Sequence, residues 1–149
     1  MHDHFLTFIR LLNEENVEYV VIGGYAVAKH GYPRYTGDLD IFVSGTRENA
    51  EKLLNVMFNF GFGPYDFDLN DFYGEERFVS IGDEPYKIEL LTQTLGVTFA
   101  DVYQNKEVVV SQDVAINFIS YNDLIKNKTA VGRPKDLLDL EHLPPSDEQ

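Results

Sequence analysis

The chain has no cysteine, few basic residues and no long apolar run. Without cysteine there is no disulfide, no thiolate nucleophile and no zinc–thiolate site, a usage that fits a cytoplasmic protein. Only 12 Lys and Arg stand against 25 Asp and Glu, for a formal net charge of -13. Wrapping a nucleic-acid backbone needs many cationic contacts to phosphate, so an extensive nucleic-acid surface is not expected, although a small basic patch is still allowed. No stretch suggests a membrane span. The opening MHDHFLTFIRLLNEEN carries acids on both sides of its apolar residues and lacks the apolar run of a signal peptide.

What is present suffices for one core. At 149 residues and 44% hydrophobic content, the chain predicts a single domain over residues 1–143, with a frayed tail at 144–149. Phe5, Phe8, Ile9 and Leu12 recur at helical spacing and predict a helix over 3–15. EYVVIGG reads as a buried strand stopped by Gly23 and Gly24, and YAVAKHG as a brief helix. DLDIFV is a strand, and TRENAEKLLNVMFNFG is a helix with Thr46 as N-cap and Gly61 as its stop. Residues 63–76 have no period and predict a long, mobile surface loop. RFVSIG with YKIELL, and KEVVVS with VAINFIS, read as hairpins. Ser120 caps a helix that Gly132 ends, and Pro134 opens a last one. Helices at both ends with about five short strands between them predict a mixed α/β domain.

One strand carries an anomaly. Alternate residues of a strand share a face, so Asp38 and Asp40 in DLDIFV project together, roughly 6 to 7 Å apart, while Leu39, Ile41 and Val43 point into the core. Like charges that close resist joint ionisation unless a cation lies between them. In YKIELL, Ile88 and Leu90 point one way and Glu89 the other. If that strand lies beside DLDIFV, three carboxylates surround one or two divalent ions. Taken singly, the aspartates also read as the solvated face of an edge strand and the glycine pair as a plain turn. Taken together, they suit phosphoryl transfer from a nucleotide, where Mg2+ spreads the developing charge and glycine backbone approaches phosphate.

GGYAVAKHGYPRYTGDLDIFV, with 13 residues between Gly24 and Asp38, resembles the Gly-Gly/Ser and Asp-x-Asp signature of the DNA polymerase beta superfamily of nucleotidyltransferases. Within it, the chain is similar to small bacterial minimal nucleotidyltransferases and to the nucleotidyltransferase toxins of abortive-infection systems. Those share an R-x-T-x-D-x-D stretch, here Arg34, Thr36, Asp38 and Asp40, and a basic and acidic group like KTAVGRPKDLLDL. The resemblance implies a nucleotidyltransferase-like mixed sheet flanked by helices and a nucleoside triphosphate as donor. Gly23, Gly24, Arg34, Thr36, Lys128 and Arg133 would bind the nucleotide, and Asp38, Asp40 and Glu89 would act as catalytic metal ligands. Glu89 stands where the commoner residue is Asp, and its extra methylene leads us to expect its strand slightly farther away. Lys128 and Arg133 are expected to serve the ligand with little effect on the stability of the free protein. For Asp136 and Asp139, neighbours at i and i+3, a solvated helix face is the expectation.

The acceptor is left open among RNA, protein and small molecule, and the base preference with it. The alternative is a catalytically inactive binding module of a toxin–antitoxin pair, with a partner protein encoded nearby. His30 is expected to be structural, His2 and His4 to lie in a fraying terminus, and Tyr25, Tyr32 and Tyr35 to pack under or stack near the motif.

Overall fold

The computed structural model describes residues 1–145. Six helices, α1 (Asp3–Glu14), α2 (Gly23–Lys29), α3 (Arg47–Phe60), α4 (Phe99–Gln104), α5 (Tyr121–Val131) and α6 (Pro134–His142), accompany one sheet. Its strands are β1 (Tyr19–Ile22), β2 (Asp38–Val43), β3 (Phe78–Ile81), β4 (Lys87–Leu91), β5 (Glu107–Ser111) and β6 (Val114–Phe118), in the order β3-β4-β2-β1-β6-β5. The sheet thus has six strands where about five were expected. The second hairpin joins the same sheet with both its strands, because β6 runs parallel to β1 at Val21↔Phe118.

The predicted caps hold their helices. Thr46 accepts from the Asn49 N–H at the start of α3, and Ser120 from the Asp123 N–H at the start of α5. Apolar periodicity then decides what is covered. Phe5, Phe8, Ile9 and Leu12 of α1 and Leu53, Val56 and Met57 of α3 are buried in one core with Leu39, Ile41, Ile88 and Leu90 of β2 and β4. Those four strand residues alternate with Asp38, Asp40, Lys87 and Glu89, which therefore share the opposite face.

The segment over 63–76 runs over the surface as a long loop, as expected, and is held at a few points. A short 3-10 turn, Leu69–Asp71, is capped from both sides by Asp68 and Asp71. Phe72 is 1% exposed and lies against Phe67, which meets Phe62 edge to face. The Gly74 N–H also donates to the Gly45 carbonyl at 3.0 Å. Phe67 and Phe72 serve as anchors, a role that needs no periodicity, while Tyr65 and Tyr73 stay exposed. Of the expected tail, Pro144 accepts a hydrogen bond from the Tyr121 hydroxyl at 2.7 Å, and residues 146–149 lie outside the described residues.

Phe72→Ala should therefore cost about 3 to 5 kcal/mol, the usual range for emptying a buried aromatic site. Denaturant titration of both proteins measures it; a loss under about 1 kcal/mol would mean that the segment is not anchored there.

Candidate active site

Strand pairing brings the three acids together. β2 and β4 run parallel with Asp40 level with Glu89 and Asp38 level with Lys87. One carboxylate oxygen from each of Asp38, Asp40 and Glu89 lies within 4.8 Å of the others. β4 is bonded directly to β2, so the longer Glu89 side chain does not push its strand away as expected. Instead the extra reach is taken up sideways, where Lys87 Nζ meets Glu89 Oε1 at 2.9 Å.

This packing sets the proton affinities apart. Burial first, then the charge of Asp38 and a hydrogen bond to Glu89, push Asp40 up to about 7. Burial and Glu89 also raise Asp38. For Glu89, burial opposes ionisation, but hydrogen bonds from Lys87 and Asp40 outweigh it, and its carboxyl sits below the usual value. Of the three, Asp40 is thus the acid that keeps its proton to the highest pH. Its Oδ1 is buried and has no hydrogen-bond partner among the described residues. Three clustered hard oxygen donors, one of them unsatisfied, fit a divalent cation such as Mg2+.

The glycine pair is explained by the same crowding. Gly23 has φ +68°, and a β-carbon there would collide with Asp40 Oδ2. A β-carbon on Gly24 would come within 2.5 Å of Thr36 Oγ1 and 3.1 Å of Arg34 Nη1. Glycine at both positions lets the acid strand and the Arg34–Thr36 loop close on the start of α2. Thr36 itself donates to the Asp38 carbonyl at 3.1 Å.

Helices α5 and α6 form the opposite wall, and here the ion pairs are buried. Lys128 Nζ lies 2.9 Å from Asp136 Oδ1 and 3.0 Å from Asp139 Oδ2, all three side chains being 5% exposed or less. Arg34 grips Asp139 with two bonds, Nε to Oδ1 at 2.7 Å and Nη2 to Oδ2 at 2.8 Å. Arg133 Nε meets Asp136 Oδ2 at 2.7 Å but is 57% exposed and lines the cleft. Burial alone would raise Asp136; the Arg133 and Lys128 hydrogen bonds overcome it and hold it at about 2. Asp136 and Asp139 are therefore not on a solvated helix face: at i and i+3 they point inward to the same ammonium.

Two further cations were missed. Lys135 lines the cleft with Arg133, and its charge favours ionisation of Asp38, Asp40 and Glu89. Nothing in its local pattern marks it, because only the docking of α6 turns it to the acids. Lys87 was legible, since strand alternation places it on the face of Glu89. Beyond Glu89 the cleft is lined by Phe78, Leu91, Thr94 and Asn127.

Of the other residues weighed, the histidines and Tyr32 make their contacts elsewhere, while Tyr35 borders the pocket that Asp38 and Asp40 line and Tyr25, its hydroxyl raised first by burial, lies near enough for the Asp38 charge to add to the rise. His30 is buried with Nε2 2.8 Å from the Ile119 carbonyl. His2 caps α1, and His4 packs on Phe60. Tyr32 stacks on His142, Tyr25 meets Phe5 edge to face, and Tyr35 stands exposed on the cleft rim.

Two solved structures share this architecture. One, from Thermotoga maritima and described as a "putative nucleotidyltransferase", is 20% identical with a TM-score of 0.61, over 90% of this chain and 86% of its own. The other, an antigenic nucleotidyltransferase-like protein from Paracoccidioides brasiliensis, is 15% identical with a TM-score of 0.53, over 93% of this chain and 71% of its own. This chain has a nucleotidyltransferase-like fold. At these identities the likeness establishes the fold alone. No family model and no curated protein sequence matches the chain. Among the described residues, no helix is long and apolar enough to cross a membrane.

Lys128 is thus integral to the fold, contrary to the expectation that its removal leaves the free protein's stability unchanged. Lys128→Ala strips two buried carboxylates of a shared partner and should cost about 3 to 5 kcal/mol, while the exposed Arg133→Ala costs far less. Comparable small losses in thermal melts of the two variants would refute the difference.

Asp40 supplies a second expectation for the cation-free protein. A carboxyl whose folded pKa is about 7 binds more protons folded than unfolded. Its contribution to stability is therefore present at low pH and falls as pH rises from about 4 through 7. Asp40→Asn should remove that decline and raise stability at pH 8 by at least about 1 kcal/mol, or roughly 2 to 4 °C in melting temperature. An unchanged pH profile without divalent cation would mean that Asp40 is already ionised and compensated.

Proposed function

We propose that this chain transfers a nucleoside monophosphate from a nucleoside triphosphate to the hydroxyl of an acceptor. The observation that carries the reading is the convergence of Asp38, Asp40 and Glu89 on one sheet face within 4.8 Å, opposite the cationic Arg133 and Lys135. Asp38 and Asp40 would hold one or two Mg2+ ions, with Glu89 as a ligand of the second. A divalent cation bound there supplies charge neutralisation at the phosphate oxygens.

The remaining work falls to the chain. Gly23 and Gly24 keep the floor of the cleft free of side chains, so that backbone and phosphate can approach. Arg133 and Lys135 face the negative charge of the triphosphate. Arg34 is committed to Asp139 through two nitrogens, so its part in nucleotide binding is to hold the loop carrying Thr36 in place. Lys128 lines the cleft, but its ammonium is shared by two aspartates, which makes it a support for Asp136, the partner of Arg133, more than a free phosphate ligand. Glu89, ion-paired to Lys87, would either complete the ligand set of that second ion or take the proton of an incoming hydroxyl; its carboxyl, held below the usual value, is a weak base, which favours the ligand role.

The test is a thermal-shift titration with each of the four nucleoside triphosphates, with and without Mg2+. A triphosphate at 100 times its dissociation constant should add about 2.7 kcal/mol of stability. The Mg2+-dependent part should vanish in Asp38→Asn and Asp40→Asn. Lys135→Ala and Arg133→Ala should weaken triphosphate binding more than nucleoside binding. If no triphosphate stabilises the protein with or without Mg2+, the transferase reading falls and a nucleotide-independent binding module takes its place.

A further inference from the structure

At the end of the sheet remote from β3, strand β5 pairs only with β6 among the described residues. Edge strands in monomers are ordinarily guarded by charge, proline, a bulge or a covering segment. The centre of β5 has no such charge, proline or bulge. Val108, Val109 and Val110 are 55%, 37% and 68% exposed, and the ladder to β6 runs unbroken from Glu107↔Phe118 to Ser111↔Val114. The one charged residue of the strand, Glu107, is turned to Lys29, whose Nζ lies at 2.7 Å, and so does not guard the edge.

The hairpin turn fixes which backbone groups face outward. Gln112 and Asp113 both have positive φ, 49° and 65°, as in the two-residue turn whose flanking residues exchange both ladder bonds. Ser111↔Val114, Val109↔Ile116 and Glu107↔Phe118 are then the bonded pairs. The N–H and C=O groups of Val108 and Val110 consequently point away from β6. Two apolar residues present an unused pair of donors and acceptors to the outside.

We propose that this edge binds a second copy of the chain, β5 against β5, antiparallel about a two-fold axis at Val109, joining the two six-stranded sheets into one. The pattern is self-complementary in that register. Val108 faces Val110 of the second copy, so the outward backbone groups meet each other, and Val109 faces itself. Glu107 falls opposite Ser111, so no like charges oppose within the strand. A strand of arbitrary sequence from another protein has no reason to offer that match. Five paired residues bury less than a standard interface, so the dimer is weak and concentration-dependent. Two copies carrying -13 each also repel, and added salt, by screening that repulsion, strengthens the pairing. β1 and β6 separate β5 from the acid strands, so the dimer leaves both clefts open and the proposal stands apart from the transferase reading.

The absence of cysteine makes the test clean. In the two-fold register, residue 109 meets its counterpart as a non-hydrogen-bonded pair with Cα atoms about 4.5 Å apart, suited to a disulfide. Residue 110 is more exposed, but its counterpart lies diagonally, about 7 to 8 Å away. Sedimentation velocity of the wild type from about 10 to about 500 µM, at low and high salt, should show a monomer–dimer equilibrium that shifts to dimer with concentration and salt. Under mild oxidation V109C should form a linked dimer at least about tenfold faster than V110C. Val109→Lys should leave only monomer, with an unchanged melting curve at low concentration. A wild type that is monomeric under every condition, or equal cross-linking of V109C and V110C, overturns the proposal.

Discussion

The parallel register of β2 and β4 is the constraint on which the rest depends. It sets Asp40 level with Glu89, and it is fixed from the other face of the sheet, where Leu39, Ile41, Ile88 and Leu90 are buried against α1 and α3. A slip of β4 by one residue would turn Glu89 into the core and Ile88 and Leu90 out of it, so hydrophobic burial holds the carboxylates together against their own repulsion. The connection follows from this. Strand β2 leaves through α3 and the anchored segment over 63–76, and β3 turns the chain back so that β4 re-enters parallel to β2.

Around the acids, charge is arranged in shells of alternating sign. Next to them come Lys87, Arg133 and Lys135, and behind these stand Asp136 and Asp139 with Lys128 between them. Each buried ion is satisfied by the next, which is the condition under which buried charge is tolerated at all. The outermost link is Arg34, whose grip on Asp139 ties α6 to the loop that carries Thr36 and leads into β2. An acidic protein can therefore present a cleft whose wall is cationic, a property that its net charge conceals.

What was legible in the sequence was whatever depends on local period or on a cap. Strand alternation placed Asp38, Asp40 and Glu89 on one face, and Thr46, Ser120 and the glycine stops gave the helices their ends. Features that exist only after distant segments meet were not legible. Asp136 and Asp139 looked like an exposed pair because the stripe they share becomes interior only when α6 packs on α5 around Lys128. Lys135 was missed for the same reason. Phe72 buries itself as a single anchor, with Phe62 and Phe67 partly buried beside it, and such contacts leave no pattern to read. All six strand segments were legible one by one, but that the last hairpin joins the same sheet was not, because the Val21↔Phe118 pairing that attaches it links residues nearly a hundred apart.

The glycine pair shows how one requirement can imitate another. A strand followed by two glycines and a helix suggests a backbone shaped for phosphate, yet in this fold each glycine is already demanded by a neighbour: Gly23 by Asp40 and Gly24 by Thr36 and Arg34. These demands are not rivals. Asp40 can sit beneath the start of α2 only if no β-carbon stands above it, and the same missing β-carbon leaves the floor of the cleft open towards the acids. Packing, and the ligand approach proposed above, would thus ask for glycine at Gly23 through one geometric condition, the distance between the α2 backbone and the Asp40 carboxylate. A larger residue there would displace the carboxylate and block the cleft together, which makes Gly23 the position where fold and site are least separable.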